Sequence, residues 1–441
     1  MSADCPSFPV STSGLLAAWP RLLRLPTQHP AGFYLVCIAV FCERWAAYML
    51  GSSLVLMLCE RYGYSRADAL RLAGIVNAAT YLGTLPGGIA SDRAGHPARW
   101  LGASMGLLAV GYAALVLTAP AALWLALGLL LVGHALFKPN TQAAIASQYP
   151  VGDSRLDAAQ ILFYIAVNAG ATLGSTVAGL LIHRTGWSVA FETAAVVMLV
   201  GLLALILGHK VLRLRPATMQ HLGPDVAKLG TSPPALRAKL IGALILAMVL
   251  YTIGCGQVEG SLLLWAQDRT NRALLGTEIP ATWFVGLPAV LVMLLAPVQL
   301  GFLRQLQRRI PTPRLVAWGL CAVALAFAAL LPAALGHTEQ RASMGWLVAC
   351  LTLLAIGELL VAPLGLSLLL RLAPPRFIGA LVGAWYVSRA LGFWLAAEIG
   401  VLWIGGSPVA MLALLMGLSL GGAVVLWWAS RDTFKRRDQN C

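Results

Sequence analysis

Twelve stretches of this 441-residue chain hold about twenty or more mostly apolar residues in a row, the length an α-helix needs to cross a bilayer. They fall near 31–59, 67–91, 98–118, 120–149, 157–183 and 188–209, and again near 238–266, 280–303, 314–336, 344–370, 377–403 and 408–430. Hydrocarbon offers no water to backbone N–H and C=O groups, so each stretch has to satisfy them internally, and the helix does this. The charge supply agrees: 11% of residues are charged, against about 25% in soluble domains, and mean hydropathy is +0.79. An all-α integral membrane protein follows.

A net charge of +14 in a soluble protein points to nucleic acid. Here the basic residues stand between apolar runs, which makes them topogenic and excludes that partner. With the N-terminus inside, inner segments carry 21 Lys and Arg and outer loops carry seven. The expected arrangement is multi-pass in a bacterial inner membrane, with both termini cytoplasmic. Residues 1–30 form a cytoplasmic tail without signal-peptide character and 31–208 a first six-helix bundle. A polar linker at 209–238, a second bundle at 239–430 and a tail at 431–441 follow. Two bundles with a site between them describe a carrier architecture, although a channel or membrane enzyme can also have twelve spans. The cysteines show no metal or disulfide spacing, and no cofactor is expected beyond protons as coupling ion.

Glu43, Arg44, Lys138, Glu259, Glu358 and Arg389 fall well inside apolar runs. A charge at mid-bilayer costs at least ~2.5–3.5 kcal/mol, so such residues pair or line a wet cavity. Ion pairs that only pin helices together are the bland alternative. Arg44 and Lys138 outweigh Glu43 in the first half, while Glu259 and Glu358 give the second half its acids. Opposed positive and negative walls suit a zwitterion. Arg44 and Tyr48, four apart, share a helix face and can meet a carboxylate together with Lys138.

Between spans 2 and 3 lies Gly88-x-x-x-Asp92-Arg93-x-Gly95, a tight turn whose acid and base can latch a neighbouring helix end. Span 1 reads Phe41-Cys42-Glu43-Arg44-Trp45, span 4 ends Phe137-Lys138-Pro139-Asn140, and span 5 holds Phe163-Tyr164-Ile165-Ala166-Val167-Asn168. Span 8 opens Pro280-Ala281-Thr282-Trp283-Phe284, and span 10 has Gly357-Glu358-Leu359 followed by Pro363-Leu364-Gly365. Together, from about Phe33 to Trp403, these resemble the proton-dependent oligopeptide transporter family of the major facilitator superfamily. The resemblance implies the major facilitator fold, twelve helices in two six-helix bundles, and a monomeric carrier of peptides. It assigns the loop acid and base, Asp92 and Arg93, to a gate, and Tyr81 and Asn168 to the peptide backbone. It places Glu358 at the amino terminus, Trp385 on the cavity wall, and Glu43, Arg44 and Lys138 in proton coupling.

The chain departs from that family at several places. Val40 stands where the resemblance expects the first acid of span 1, one turn before Arg44, and Glu43 does not share Arg44's face in the same way. Gly256 replaces an acid of span 7, with Glu259 one turn further on as its relocated substitute or as an ordinary helix-pairing charge. Phe393 replaces an asparagine, and Arg389 is added one turn after Trp385, facing the cavity. Arg389 is expected to pair with Glu358 and alter the amine site, or else with Glu398 or another helix away from ligand. His134, alone inside a span core with no histidine three or four residues away, reads as a packing or cavity-wall residue and not a metal ligand. Three readings follow: a proton-driven importer of di- or tripeptides in which Glu43, Lys138 and Glu259 link protonation to closure, a carrier or exporter of an amino-acid-derived metabolite with no or different ion coupling, and a membrane enzyme or receptor. The last lacks a nucleophile–base or metal constellation.

Overall fold

The computed structural model describes residues 29–94, 97–149, 155–212, 234–336, 341–374 and 377–435. Most of the tail and linker expectations, and Gly95 of the loop motif, lie outside these. Among the described residues the helices assemble into twelve spans.

Span 1 is α1 (Ala31–Gly51) continued by α2 (Leu54–Tyr62), broken at Ser52–Ser53, where the Ser53 hydroxyl donates to the Met49 carbonyl at 2.6 Å. Span 2 is α3 (Arg66–Leu82) and α4 (Thr84–Ala94), jointed at Gly83. Spans 3 to 6 are α5 (Pro97–Ala114), α6 (Pro120–Ser147), α7 (Arg155–Thr185) and α8 (Trp187–Leu207). Span 7 is α9 (Pro234–Cys255) and α10 (Ser261–Arg269), and span 8 is α11 (Thr282–Arg309). Span 9 is α12 (Thr312–Ala329) with the short α13 (Leu331–Leu335); spans 10 to 12 are α14 (Met344–Leu372), α15 (Ile378–Gly405) and α16 (Pro408–Lys435).

Nine of these helices are long and apolar enough on their own to cross a membrane. The other three spans fall short for visible reasons. Span 2 is jointed, α5 is 18 residues long and begins with Pro97 and Arg99, and the apolar part of α11 ends near Leu295 before a basic stretch. Leu199, Val200, Leu203, Ile206 and Leu207 of α8 are all exposed, an apolar surface suited to lipid.

Spans 1, 3, 4, 5 and 6 pack on one another, as do spans 7, 9, 10, 11 and 12. The halves meet chiefly where span 2 lies on span 11 and span 5 on span 8. Span 1 is pressed against span 5 because Gly170 and Gly174 have no side chain: a Cβ on Gly170 would lie 2.8 Å from the Arg44 Cβ, and one on Gly174 would collide with the Trp45 carbonyl. That approach fixes how far Arg44 reaches into the interior. Gly174→Val is therefore expected to lower the thermal midpoint of detergent-purified protein by several degrees, through overpacking of about 1–3 kcal/mol. A midpoint equal to wild type would show that the interface yields freely.

On the face away from the termini, the loops of the second half are tied by short strands. β1 (Thr270–Asn271) pairs in parallel with β4 (Ala342–Ser343), and β2 (Ala273–Leu274) forms a hairpin with β3 (Thr277–Glu278). Arg272 donates to the Ile279 carbonyl at 2.5 Å and to Glu278 at 2.7 Å, holding the hairpin closed.

Candidate functional site

Broken and proline-bearing helices converge on the interior between the two halves. Pro139 sits inside α6 directly after Lys138, and Pro363 inside α14 five residues after Glu358. Proline removes an intrahelical hydrogen bond, so the backbone there is free to bend around a cavity. Span 7 is interrupted from Gly256 to Gly260, and the Gln257 amide bridges the gap, donating to Ile253 O at 3.1 Å and to Ala396 O of span 11 at 2.9 Å. Glu259 projects from this break. The expectation that it stands one helical turn beyond Gly256 is corrected: the segment is not helical, because two glycines four residues apart let the chain leave the helix.

The cavity has a central chamber of about 180 Å³ and a wider one of about 630 Å³ toward the termini. Arg44, Tyr81, Lys138, Glu358 and Arg389 line both. Tyr48, Asn168 and Glu259 line the central chamber, and Glu43 and Trp385 the wider one. The expected binding and coupling residues are thus brought together. Asp92 and Arg93 lie on the backbone of α4, outside the cavity-lining residues, and their side chains are beyond those described.

Glu43 is 1% exposed and receives both its neighbour Arg44, in a two-pronged ion pair, and His134, whose Nδ1 lies 2.8 Å from Oε1. Glu43 is not on Arg44's face in the way a residue one turn away would be, yet the two side chains pair. Adjacent helical residues diverge by about 100°, but the long guanidinium side chain folds back sideways. With its first-turn partner replaced by Val40, Arg44 takes the neighbouring carboxylate instead.

Lys138 and Arg389 meet at one aromatic ring. Lys138 Nζ lies 3.9 Å and Arg389 Cζ 4.8 Å from the centre of Tyr81, and Arg389 also donates to the Tyr81 hydroxyl at 3.2 Å. Phe393 stacks on the same ring at 5.3 Å. The ring's negative face accepts cations that repel each other. The two carboxylate partners named for Arg389 are therefore corrected, while the alternative of pairing with another helix matches its contact with span 2. It engages Tyr81 and not Glu358, which faces Tyr164 of the first half, while Glu398 is taken by Arg71 at 3.3 Å. Asn77 was not singled out from sequence, yet its amide donates to Glu259 at 3.2 Å across the halves. Its place one turn before Tyr81 on the same helix was the available signal.

Cross-half contacts are concentrated on the face away from the termini. Arg66 pairs with Asp268 and Arg71 with Glu398, and Gly74 packs against Ala397 so closely that a Cβ would clash. Deeper in, Ser175 meets Gly286, and the Trp283 indole donates to the Thr176 carbonyl at 3.0 Å. Among the described residues, every ion pair between halves lies on that side. The far face is shut while the cavity extends toward the termini.

The sequence from 36 to 397 matches the family model described as Major Facilitator Superfamily. The chain belongs to that superfamily. This superfamily member is 27% identical over 424 residues to the dipeptide and tripeptide permease A of Serratia proteamaculans (strain 568), covering 85% of this chain and 84% of that protein. It is 25% identical over 455 residues to the permease of the same name from Escherichia coli (strain K12), covering 90% and 89%. Its fold is that of a crystal structure of a peptide transporter POT in complex with sulfate, with a TM-score of 0.84 at 23% identity over 92% of this chain and 95% of the other. A POT family transporter in complex with 5-aminolevulinic acid superposes with a TM-score of 0.84 at 19% identity, covering 93% and 98%. The superfamily member is thus a multi-pass membrane transporter of the fold the sequence led us to expect, and its relatives are permeases.

Proposed function

We propose that this protein is a monomeric secondary transporter of small peptides or peptide-like zwitterions in a bacterial inner membrane. Its termini lie in the cytoplasm and its transport is coupled to protons. The single observation that carries this reading is the division of charge around one cavity. On the first half Arg44 and Lys138 outnumber Glu43; on the second Glu259 and Glu358 outnumber Arg389. A ligand carboxylate is met by Arg44, Lys138 and the Tyr48 hydroxyl, its amine by Glu358 and Glu259, and its amide groups by Asn168 and Tyr81. Trp385 closes the apolar side. With the far face shut, the arrangement represents the inward-facing state, and alternation requires that span 2 separate from span 11. The permease relatives, named for dipeptides and tripeptides, support the substrate class.

A second reading has its own observation. Arg389, in the half that supplies the amine-binding acids, reduces their excess to a single charge. That favours a ligand whose amine is masked or distant from its carboxylate, an amino-acid-derived metabolite. The solved relative holding 5-aminolevulinic acid is consistent with such a ligand class.

Proteoliposome counterflow with labelled alanylalanine and with 5-aminolevulinic acid separates the two. Uptake of the exchanged compound is expected to rise severalfold under an inward proton gradient. Equal uptake with and without the gradient would exclude proton coupling; exchange of neither compound would exclude the substrate class.

A further inference from the structure

We propose that His134 and Glu43 together form the proton-binding site of this transporter, with the imidazole as the group that gains and loses the proton. The inference rests on the proton-coupled reading above and deepens it.

Glu43 is the one carboxylate within the apolar run of span 1, and it is buried at 1% exposure. Arg44 grips both its oxygens. A carboxylate so held stays ionised, because protonation would leave the guanidinium without its partner in a low-dielectric interior. The imidazole is different. His134 Nδ1 lies 2.8 Å from Glu43 Oε1, and His134 also lines the central chamber with 8% of its surface exposed. An imidazole is the side chain whose ordinary titration falls between pH 5 and 8. Here it has a buried anion on one side and the cavity on the other.

The surrounding charges define what a proton does. On its own helix, one turn on, is Lys138; from span 1 come Glu43, Arg44 and Tyr48; from span 2 comes Tyr81; from span 3 comes Tyr112. Across the chamber stand Glu259, Glu358, Arg389 and Tyr251. Arg44, Lys138 and Arg389 balance Glu43, Glu259 and Glu358, so with a neutral imidazole the cavity carries no net charge. A proton taken from the cavity onto His134 makes it +1 and gives Glu43 a second cation. Arg44 is then less tightly bound to Glu43 and freer to meet a ligand carboxylate. Proton and ligand binding thereby favour each other, and by linkage the effect is reciprocal. Loss of that proton to the other side restores the Glu43–Arg44 pair and lowers affinity for the carboxylate.

The direct test is the histidine titration of the full-length protein in detergent, labelled with ¹⁵N-histidine and followed by NMR. The His134 signal is assigned by its disappearance in His134→Gln, or in His134→Asn should the first variant not fold. It is expected to change protonation between about pH 5 and 8, and to shift its midpoint in Glu43→Gln. A signal that does not titrate between about pH 4.5 and 9, or one indifferent to Glu43→Gln, overturns the proposal. Transport supplies a second readout. Between pH 7.5 and 5.5 a group with an ordinary imidazole pKa goes from about 9% to about 91% protonated. Wild-type uptake of whichever probe it exchanges, alanylalanine or 5-aminolevulinic acid, should therefore rise up to about tenfold, and His134→Gln should flatten that profile. An unaltered profile in His134→Gln overturns the proposal. If wild type exchanges neither probe, the substrate reading fails while the titration still decides the proton site.

Discussion

Arg44→Ala is expected to remove uptake altogether and to reduce the yield of monodisperse protein. The carboxylate it leaves behind, Glu43, is 1% exposed and would keep only His134 as partner. Breaking a buried pair by deleting one member costs about 3–5 kcal/mol, since the remaining charge stays buried without compensation. That corresponds to a loss of about two to three and a half orders of magnitude in the population of any state that needs the pair. Folding and binding are separable by removing both charges. The double variant Glu43→Gln/Arg44→Gln has no orphaned ion, so size-exclusion profiles should recover while uptake does not. Wild-type uptake in Arg44→Ala would show that the pair is ornamental and that the carboxylate end of the ligand lies elsewhere.

The second large effect concerns selectivity. Arg389→Gln should tighten binding of alanylalanine by about tenfold or more, equivalent to about 1.4 kcal/mol. Among the described residues Arg389 is the one cation that the second half contributes to the cavity lining, and it stands among groups that include Glu358 and Glu259. Unit charges about 4 Å apart interact by about 4 kcal/mol at an effective dielectric of 20, so even partial removal of such repulsion exceeds the predicted gain. The loss of its contact with Tyr81 is a smaller term, about 0.5–2 kcal/mol of cation–π energy. Calorimetric titration with the unlabelled dipeptide checks this. Unchanged or weaker affinity would mean that Arg389 is itself a ligand-binding cation, in which case the carboxylate-rich wall is not where the amine goes.

Much of the architecture was legible because the bilayer leaves a sequence few choices. A run such as Trp187–Leu207 can be read as a span from length and apolarity alone. The breaks were not legible. Gly256 and Gly260 are of a type common within membrane helices, so composition did not reveal that the helix stops at Cys255 and restarts at Ser261. The site residues were found because a buried charge is costly enough to need a reason, and Arg44, Lys138, Glu259, Glu358 and Arg389 all line the cavity. Their pairings were harder to read. Matching charges by sign assigns Arg389 a carboxylate, whereas it rests on Tyr81, an aromatic ring that formal charge does not register. Asn77 escaped notice for the same reason: an uncharged amide carries no insertion penalty large enough to attract attention, yet it holds Glu259 from the opposite half.

The closed far face joins two kinds of adhesive that respond differently to the medium. Arg66 and Asp268, and Arg71 and Glu398, stand partly in water, and ions of physiological strength screen such attractions over about 8 Å. The strip where Gly74 lies on Ala397, and the deeper contact of Ser175 on Gly286, hold by dispersion and by fit, which dissolved ions do not weaken. Raising the ionic strength is thus expected to loosen the two ion pairs while leaving the packed strip in place.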